Sequence, residues 1–270
     1  MQLIDGRLVK QYYIPRLIKR IKGLPFIPKL AIIQVGNRLD SDAFIKAKKS
    51  FAKKVGIEEE HIQLNENIPQ DDLIEVIRKY NDDKTVQGII VQLPLPSHLN
   101  TDIIIENIDS KKDVDGLTLK TLFIPATARG IGELFDFYKI DLNNKKVTVL
   151  GRSKLVGTPI AEMCRKRNAI VTVCHSKTED IEEKTKDADI IIVAIGKAKF
   201  LNKKHLNKDQ IIIDVGISRQ ADNILSGDVD FDNVKDKVDM ISPVPGGVGQ
   251  MTVLALFENL IDSCYNTGNY

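Results

Sequence analysis

Three polar side chains in the first half of the chain are of types that move protons or grip a flat heterocycle. Lys48 lies in SDAFIKAKKS, residues 41–50, four positions after Phe44 and so on one face with it if the stretch is helical. Gln92 sits in VQLPLP just before two prolines, and KKDVDG places Asp113 and Asp115 two apart beside Gly116. A lysine amine can serve as a base, an amide can orient it, and a carboxylate can accept from ring N–H groups. An ordinary lysine, pKa about 10.4, is protonated at neutral pH, so base chemistry requires that value to fall. Spacing alone leaves both readings of Lys48 open, a solvated helix lysine or a reactive amine. Likewise the loop acids fit solvated or capping roles, and Gln92 fits a strand edge.

The second half carries glycines suited to a phosphate. KKVTVLG runs into RSKLVGTPIAEMCRKR, where Gly151 and Gly157 bracket a tight loop and Pro159 sits near a helix start. N–H groups at a helix N-terminus favour an anion, and glycines let a pyrophosphate approach the backbone. This is not the GxGxxG pattern, so the loop by itself fits a plain turn as well. The next strand ends in CHSKT, where a dinucleotide fold reads the adenosine ribose. No acid stands there; His175, Ser176 and Arg152 offer donors or positive charge, which favours NADP over NAD. Gly196, Gly216 and the cluster Pro245, Gly246, Gly247 and Gly249 end three further strands on the edge where open α/β sheets bind ligands.

These residues need a scaffold, and the chain supplies a repeating one. KLAIIQVG, HIQLNENI and VQGIIVQLP alternate with helix-like segments, and KKVTVLG, AIVTVCHS, ADIIIVAIG, QIIIDVG and DMISPVPG do so again. Alternation of this kind predicts an α/β fold of two domains, each with a parallel sheet flanked by helices. The turn-rich DSKKDVDGLTLKTLFIPATARG marks the junction. The alternation divides the chain near residue 120, with 121–250 read as a Rossmann-like dinucleotide-binding domain, while the apolar, helix-like 251–270 fits against either domain.

Composition excludes several classes of partner. The 270 residues carry 39 basic and 37 acidic side chains, a net charge of +2, which gives no global attraction to nucleic acid or an anionic membrane. No apolar run reaches the roughly 20 residues of a membrane span, and MQLIDGRLVK lacks the apolar core of a secretory signal. A cytoplasmic protein is expected. Cys164, Cys174 and Cys264 show neither CxxC spacing nor an even count, and the four histidines are scattered, so no metal site is expected.

DSDAFIKAKKSFAKKVGI, GIIVQLPLP, KKDVDG, GRSKLVGTP, VCHSKT, DVGI, GDVDF and PVPGGVGQMT follow one another over nearly the whole chain. In that order they resemble the bifunctional methylenetetrahydrofolate dehydrogenase/cyclohydrolase family. The resemblance implies NADP-linked oxidation of 5,10-methylenetetrahydrofolate to the 5,10-methenyl compound and its hydrolysis to 10-formyltetrahydrofolate, in a cleft between two domains. It also implies a homodimer, tetrahydrofolate derivatives as partners, and a last helix that returns to the first domain, so that 1–120 with 251–270 form the catalytic domain and 121–250 the Rossmann-like NADP-binding domain. By position it puts the catalytic lysine on Lys48, its orienting amide on Gln92 and the pterin-holding acid on Asp115, with Phe44, Pro245, Gly246 and Gly247 against the folate. The nucleotide falls to Gly151, Arg152, Ser153, Val156, Gly157, Pro159, His175, Ser176, Gly196, Gly216 and Ile217.

Three means of lowering the Lys48 pKa are expected: an early position in its helix, the like charges of Lys46 and Lys49, and desolvation. Asp115 is expected to bind pterin nitrogens rather than pair with Lys48, since a pair would oppose that shift. Phe44 stands where the family has tyrosine, so hydrolysis is the step more exposed to loss. PATARG replaces the common Pro-Cys-Thr-Pro, and Gln250 replaces Pro. Two alternatives follow: a dehydrogenase with weak hydrolysis, or a binding protein without turnover.

Overall fold

The computed structural model describes residues 1–219 and 225–266. In chain order the elements begin β1 (Gln2–Leu3), α1 (Gly6–Lys22), β2 (Lys29–Val35), α2 (Leu39–Val55), β3 (Glu58–Leu64), α3 (Gln70–Asp82), β4 (Gly88–Val91), α4 (Thr101–Glu106) and α5 (Ala126–Tyr138). There follow β5 (Lys146–Leu150), α6 (Gly157–Lys166), β6 (Ile170–Cys174), α7 (Ile181–Lys186), β7 (Ile190–Val193) and β8 (Ile211–Asp214). A short antiparallel pair, β9 (Ser218–Arg219) with β10 (Leu225–Ser226), precedes α8 (Phe231–Val234), β11 (Met240–Ile241) and the last helix, α9 (Val248–Asn266). The chain divides into two compact units, Tyr13–Ala126 with Val253–Tyr270, and Met1–Tyr12 with Thr127–Thr252.

The first unit is built on a parallel sheet of order β3-β2-β4. Its central strand, KLAIIQV, is apolar and buried almost throughout, as a parallel strand covered on both faces must be. Ala31, Ile33 and Val35 pack with Leu73, Ile77 and Tyr80 of α3 and with Ile104 and Ile105 of α4. Helix α2 turns Ser41, Ile45, Lys48, Ala52 and Val55 inward, a stripe at helical spacing, and ends at Gly56 in the left-handed conformation (φ 80°). Phe51 meets Phe257 of α9 edge to face, with ring centres 5.0 Å apart.

The second unit carries a six-stranded parallel sheet of order β1-β11-β8-β7-β5-β6. From β5 the chain goes to β6 on one side and then to β7 on the other, so the order reverses at β5, the place where such sheets bind ligands. Leu150, Ile191, Val193, Ile212 and Ile241 form its core with Leu201, Leu206, Val229 and Val234. The N-terminal residues belong here and not with the first sheet, as the expected division had it: Gln2 and Leu3 pair with Met240 and Ile241. A strand of two residues has no periodicity to announce it.

Gly130 of α5 lies against the backbone of α9; a β-carbon there would come within 2.8 Å of the Met251 carbonyl carbon and 2.9 Å of its Cβ. In an unhindered helix Gly→Ala stabilises by about 1 kcal/mol. Here overpacking dominates, and Gly130→Ala is expected to destabilise by about 1–3 kcal/mol, read as a lowered Tm.

Candidate functional site

Lys48 is 8% exposed, on the inward face in the middle of α2. Its Nζ donates to Gln92 Oε1 at 2.9 Å. Gln92 directly follows β4, its backbone N–H bonded to Ile33 O at 2.8 Å, and its own Nε2 donates to Leu93 O at 2.8 Å. That second bond fixes which end of the amide faces the lysine, so the carbonyl is presented to Nζ. Burial lowers the Lys48 pKa, and the negative charge of Asp115 pulls it partly back. Burial likewise raises the Asp115 carboxyl; Lys48 opposes that shift and Asp113 adds to it.

Asp115 is held by its loop. Asp113, fully buried, accepts from the N–H groups of Gly116 (3.0 Å), Leu117 (3.1 Å) and Thr118 (2.8 Å), which closes the turn around its neighbour. Gly116 has φ 76°, and a side chain there would collide with Pro125, 2.7 Å away. Ala126 N–H donates to Asp115 O at 3.0 Å. From α9, the fully buried Asn259 donates both amide hydrogens, to Val114 O at 2.8 Å and Ile124 O at 3.0 Å. One side chain thus ties together the two ends of the loop next to Asp115.

Two expectations about Lys48 are corrected here. The helix begins at Leu39, so Lys48 is far from its N-terminal turn, and the dipole argument does not apply. Lys46 and Lys49 are not among the causes of the shift; Lys49 faces Glu59 instead, at 3.5 Å. Desolvation does the work. Asp115 forms no ion pair with Lys48 among the described residues, although each charge acts on the other. Phe44, on the same helix, is 38% exposed. Residues overlooked in the sequence order the start of α2: Gln34, on β2, donates to Asp42 Oδ1 at 2.9 Å and accepts from His61 Nε2 at 2.8 Å.

The remaining candidates lie in the second unit. A β-carbon on Gly151 (φ 117°) would meet Ala194 O at 2.2 Å, and one on Gly157 would meet Gly151 O at 2.3 Å, so backbone packs on backbone around this loop. Ser153 Oγ accepts from Gly157 N at 3.2 Å at the start of α6. Val156 precedes that helix and Pro159 lies in its first turn, where a missing N–H costs nothing. Arg152 and Ser176 are exposed on the same sheet edge. His175 is partly taken up by its own turn, its Nδ1 accepting from Lys177 N at 3.1 Å. Gly196 (φ 68°) has open space where a side chain would be, and Ile217 beside Gly216 is 41% exposed. Such a glycine cradle at a helix N-terminus fits a dinucleotide pyrophosphate. Pro245 is exposed, while Gly246 and Gly247 are buried against Arg7 and Pro243 respectively. Two buried acids went unnoticed in DVGI and GDVDF: Asp214, which burial pushes up to about 7, and Asp228. Among the described residues no group of three or more His, Cys, Asp or Glu side chains is placed to hold a metal ion.

A switch-point sheet lined with glycines in one unit, and a buried amine held by an amide in the other, are features of the α/β nucleotide-binding enzymes. Residues 4–115 match the catalytic domain, and residues 125–267 the NAD(P)-binding domain, of tetrahydrofolate dehydrogenase/cyclohydrolase. The chain belongs to this family. It is 41% identical over 270 residues to the bifunctional protein FolD of Streptococcus agalactiae, covering 95% of each chain. The crystal structure of the bifunctional FolD enzyme of Campylobacter jejuni superposes with a TM-score of 0.95 at 38% identity, covering 99% of both chains. That of the Trypanosoma brucei enzyme, solved with NADP cofactor and inhibitor, gives 0.94 at 29% identity, covering 99% of this chain and 98% of that one.

Asn259→Ala leaves the Val114 and Ile124 carbonyls without these donors, which costs about 1–3 kcal/mol for each buried group left unpaired. The variant is expected to melt lower and to show a raised KM for folate with little change in KM for the nucleotide; unchanged values of both Tm and folate KM would contradict the geometry.

Proposed function

We propose that this chain oxidises 5,10-methylenetetrahydrofolate with NADP and hydrolyses the methenyl product to 10-formyltetrahydrofolate, with Lys48 handling the proton, Gln92 orienting it and Asp115 holding the pterin. The observation that carries the assignment of roles is the buried Lys48 Nζ, 2.9 Å from a Gln92 carbonyl oxygen that is itself fixed. Family membership and the bifunctional relatives support both reactions, and favour neither the monofunctional alternative nor a protein without turnover.

When bound, NADP supplies the hydride acceptor. The chain's own contribution is orientation: Gly151, Ser153, Val156, Gly157 and Pro159 would hold the pyrophosphate, Arg152, Ser176 and His175 the ribose phosphate, and Gly196, Gly216 and Ile217 the rest. The bound NADP of the Trypanosoma brucei enzyme supports this choice of nucleotide. Phe44 is assigned to stacking on the folate rings, and the family resemblance assigns Pro245, Gly246 and Gly247 to the folate as well.

Hydrolysis makes a different demand. Water attacks the methenyl carbon, a ring C–N bond opens, and a proton must pass between the oxygen and the departing nitrogen. A neutral amine accepts that proton, and an ammonium returns it. Because burial lowers its pKa, Lys48 reaches the neutral form at lower pH than an exposed lysine does. Hydrolysis therefore rises with pH through that lowered value and levels off above it. The carboxylate of Asp115, close enough to act on Lys48, stabilises the charged form during transfer and accepts from pterin N–H groups. A cytoplasmic homodimer belongs to the same reading and rests on the family; no helix among the described residues is long and apolar enough to cross a membrane.

The test is an assay with methylenetetrahydrofolate and NADP that follows both the methenyl and the formyl product. Wild type is expected to make both. Lys48→Met is expected to lose about 10²–10⁴-fold in hydrolysis, with NADPH formation reduced less, and Phe44→Tyr to hydrolyse faster than wild type. Hydrolysis by Lys48→Met at the wild-type rate would remove the lysine from the mechanism.

A further inference from the structure

Asp228 is fully buried, yet its carboxylate does not face solvent or a strand partner. Its Oδ2 accepts from the N–H groups of Ile195 and Gly196, both at 2.8 Å, the second and third residues beyond Val193 at the end of β7. Its Oδ1 has no hydrogen-bond partner and is pressed against Gly216, where a β-carbon would lie 2.3 Å from it. Asp228 is held in turn by Asp214, whose Oδ1 accepts from Asp228 N and Gly216 N at 3.0 Å each and whose Oδ2 accepts from Val229 N at 3.0 Å. Asp214 N donates to Ser242 Oγ at 2.8 Å. The chain of contacts therefore runs along one edge of the sheet, from the end of β11 through β8 to the turn after β7.

That turn matters for the nucleotide. Its first residue, Ala194, forms the wall against which Gly151 packs, and Gly196 is its open left-handed position. Backbone N–H groups in such a turn have no regular partner, and a buried carboxylate that takes two of them fixes the turn more firmly than a neutral acceptor does.

We propose that Asp228 is a positioning residue for NADP, acting through the turn at residues 194–196 without touching the ligand. This rests on the functional reading above and deepens it. The same reading supplies an internal control, because hydrolysis of the methenyl compound consumes no nucleotide and its proposed proton-handling residues, Lys48, Gln92 and Asp115, lie in the other unit.

The experiment compares wild type, Asp228→Ala and Asp228→Asn in three measurements: KM for NADP in the oxidation, KM for folate, and the rate of methenyl hydrolysis. Loss of two charge-assisted hydrogen bonds in Asp228→Ala is expected to raise the KM for NADP about tenfold or more, with folate KM and hydrolysis within about twofold. Asp228→Asn keeps an acceptor for the two N–H groups and is expected to recover most of this, leaving a rise of about two- to fivefold. A KM for NADP in Asp228→Ala that matches wild type overturns the inference. So does a parallel fall of both activities, which would mark a merely structural residue. If Asp228→Ala does not fold, Asp228→Asn decides: the small rise in KM for NADP with intact hydrolysis supports the inference, and an unchanged KM overturns it. Wild type without NADP-dependent oxidation would instead remove the functional reading itself.

Discussion

An amine taken out of water keeps its proton only as far as the protein replaces the lost solvation, and at Lys48 the replacement is partial. One hydrogen bond to Gln92 and the influence of Asp115 stand against burial, and burial is the largest effect. Everything else in the first unit serves to keep that imbalance in place. The parallel sheet sets Gln92 at the end of β4, the inward stripe of α2 delivers the lysine, and Asn259 with Asp113 holds the loop that carries the acid. Hydrophobic packing supplies the stability and the polar contacts supply the geometry. Neither alone would leave an amine available to exchange a proton.

The second unit solves a different problem with different means. A dinucleotide offers a charged, flexible backbone, and on the proposed reading the sheet edge meets its pyrophosphate chiefly with main chain. Glycines at 151 and 157 allow carbonyl groups and peptide planes to close on one another where any β-carbon would intervene. Buried carboxylates at 214 and 228 then occupy the N–H groups at the strand ends, so these turns are held from behind. On the proposed reading this division matches the chemistry: the nucleotide needs placement, whereas the pterin needs placement and a proton.

Much of this was legible in the sequence, for reasons that differ from residue to residue. The runs KLAIIQV and IIIV declare buried parallel strands because nothing polar interrupts them, and both sheets were anticipated. The meeting of Lys48, Gln92 and Asp115 was not legible from spacing, since three separate elements bring them together; only the family resemblance joined them. Of the expected causes of the lysine's shift, desolvation holds, whereas the dipole argument failed because a helix start is poorly marked when Arg38, with no capping side-chain bond, precedes it. Strand β1 is two residues long and is defined by its partner rather than by its own pattern. Asn259 did leave a sign, a polar residue within the apolar run of α9, although its partners at 114 and 124 could be found only in the fold.

The state of the Lys48 amine can be measured directly. In a chain labelled with nitrogen-15 lysine, the Nζ resonance of Lys48, assigned by its absence in Lys48→Met, can be followed against pH by NMR in the folded enzyme. The account predicts that this signal titrates below the ordinary lysine range, apart from those of the exposed lysines. A Lys48 signal that titrates in the ordinary range would contradict it.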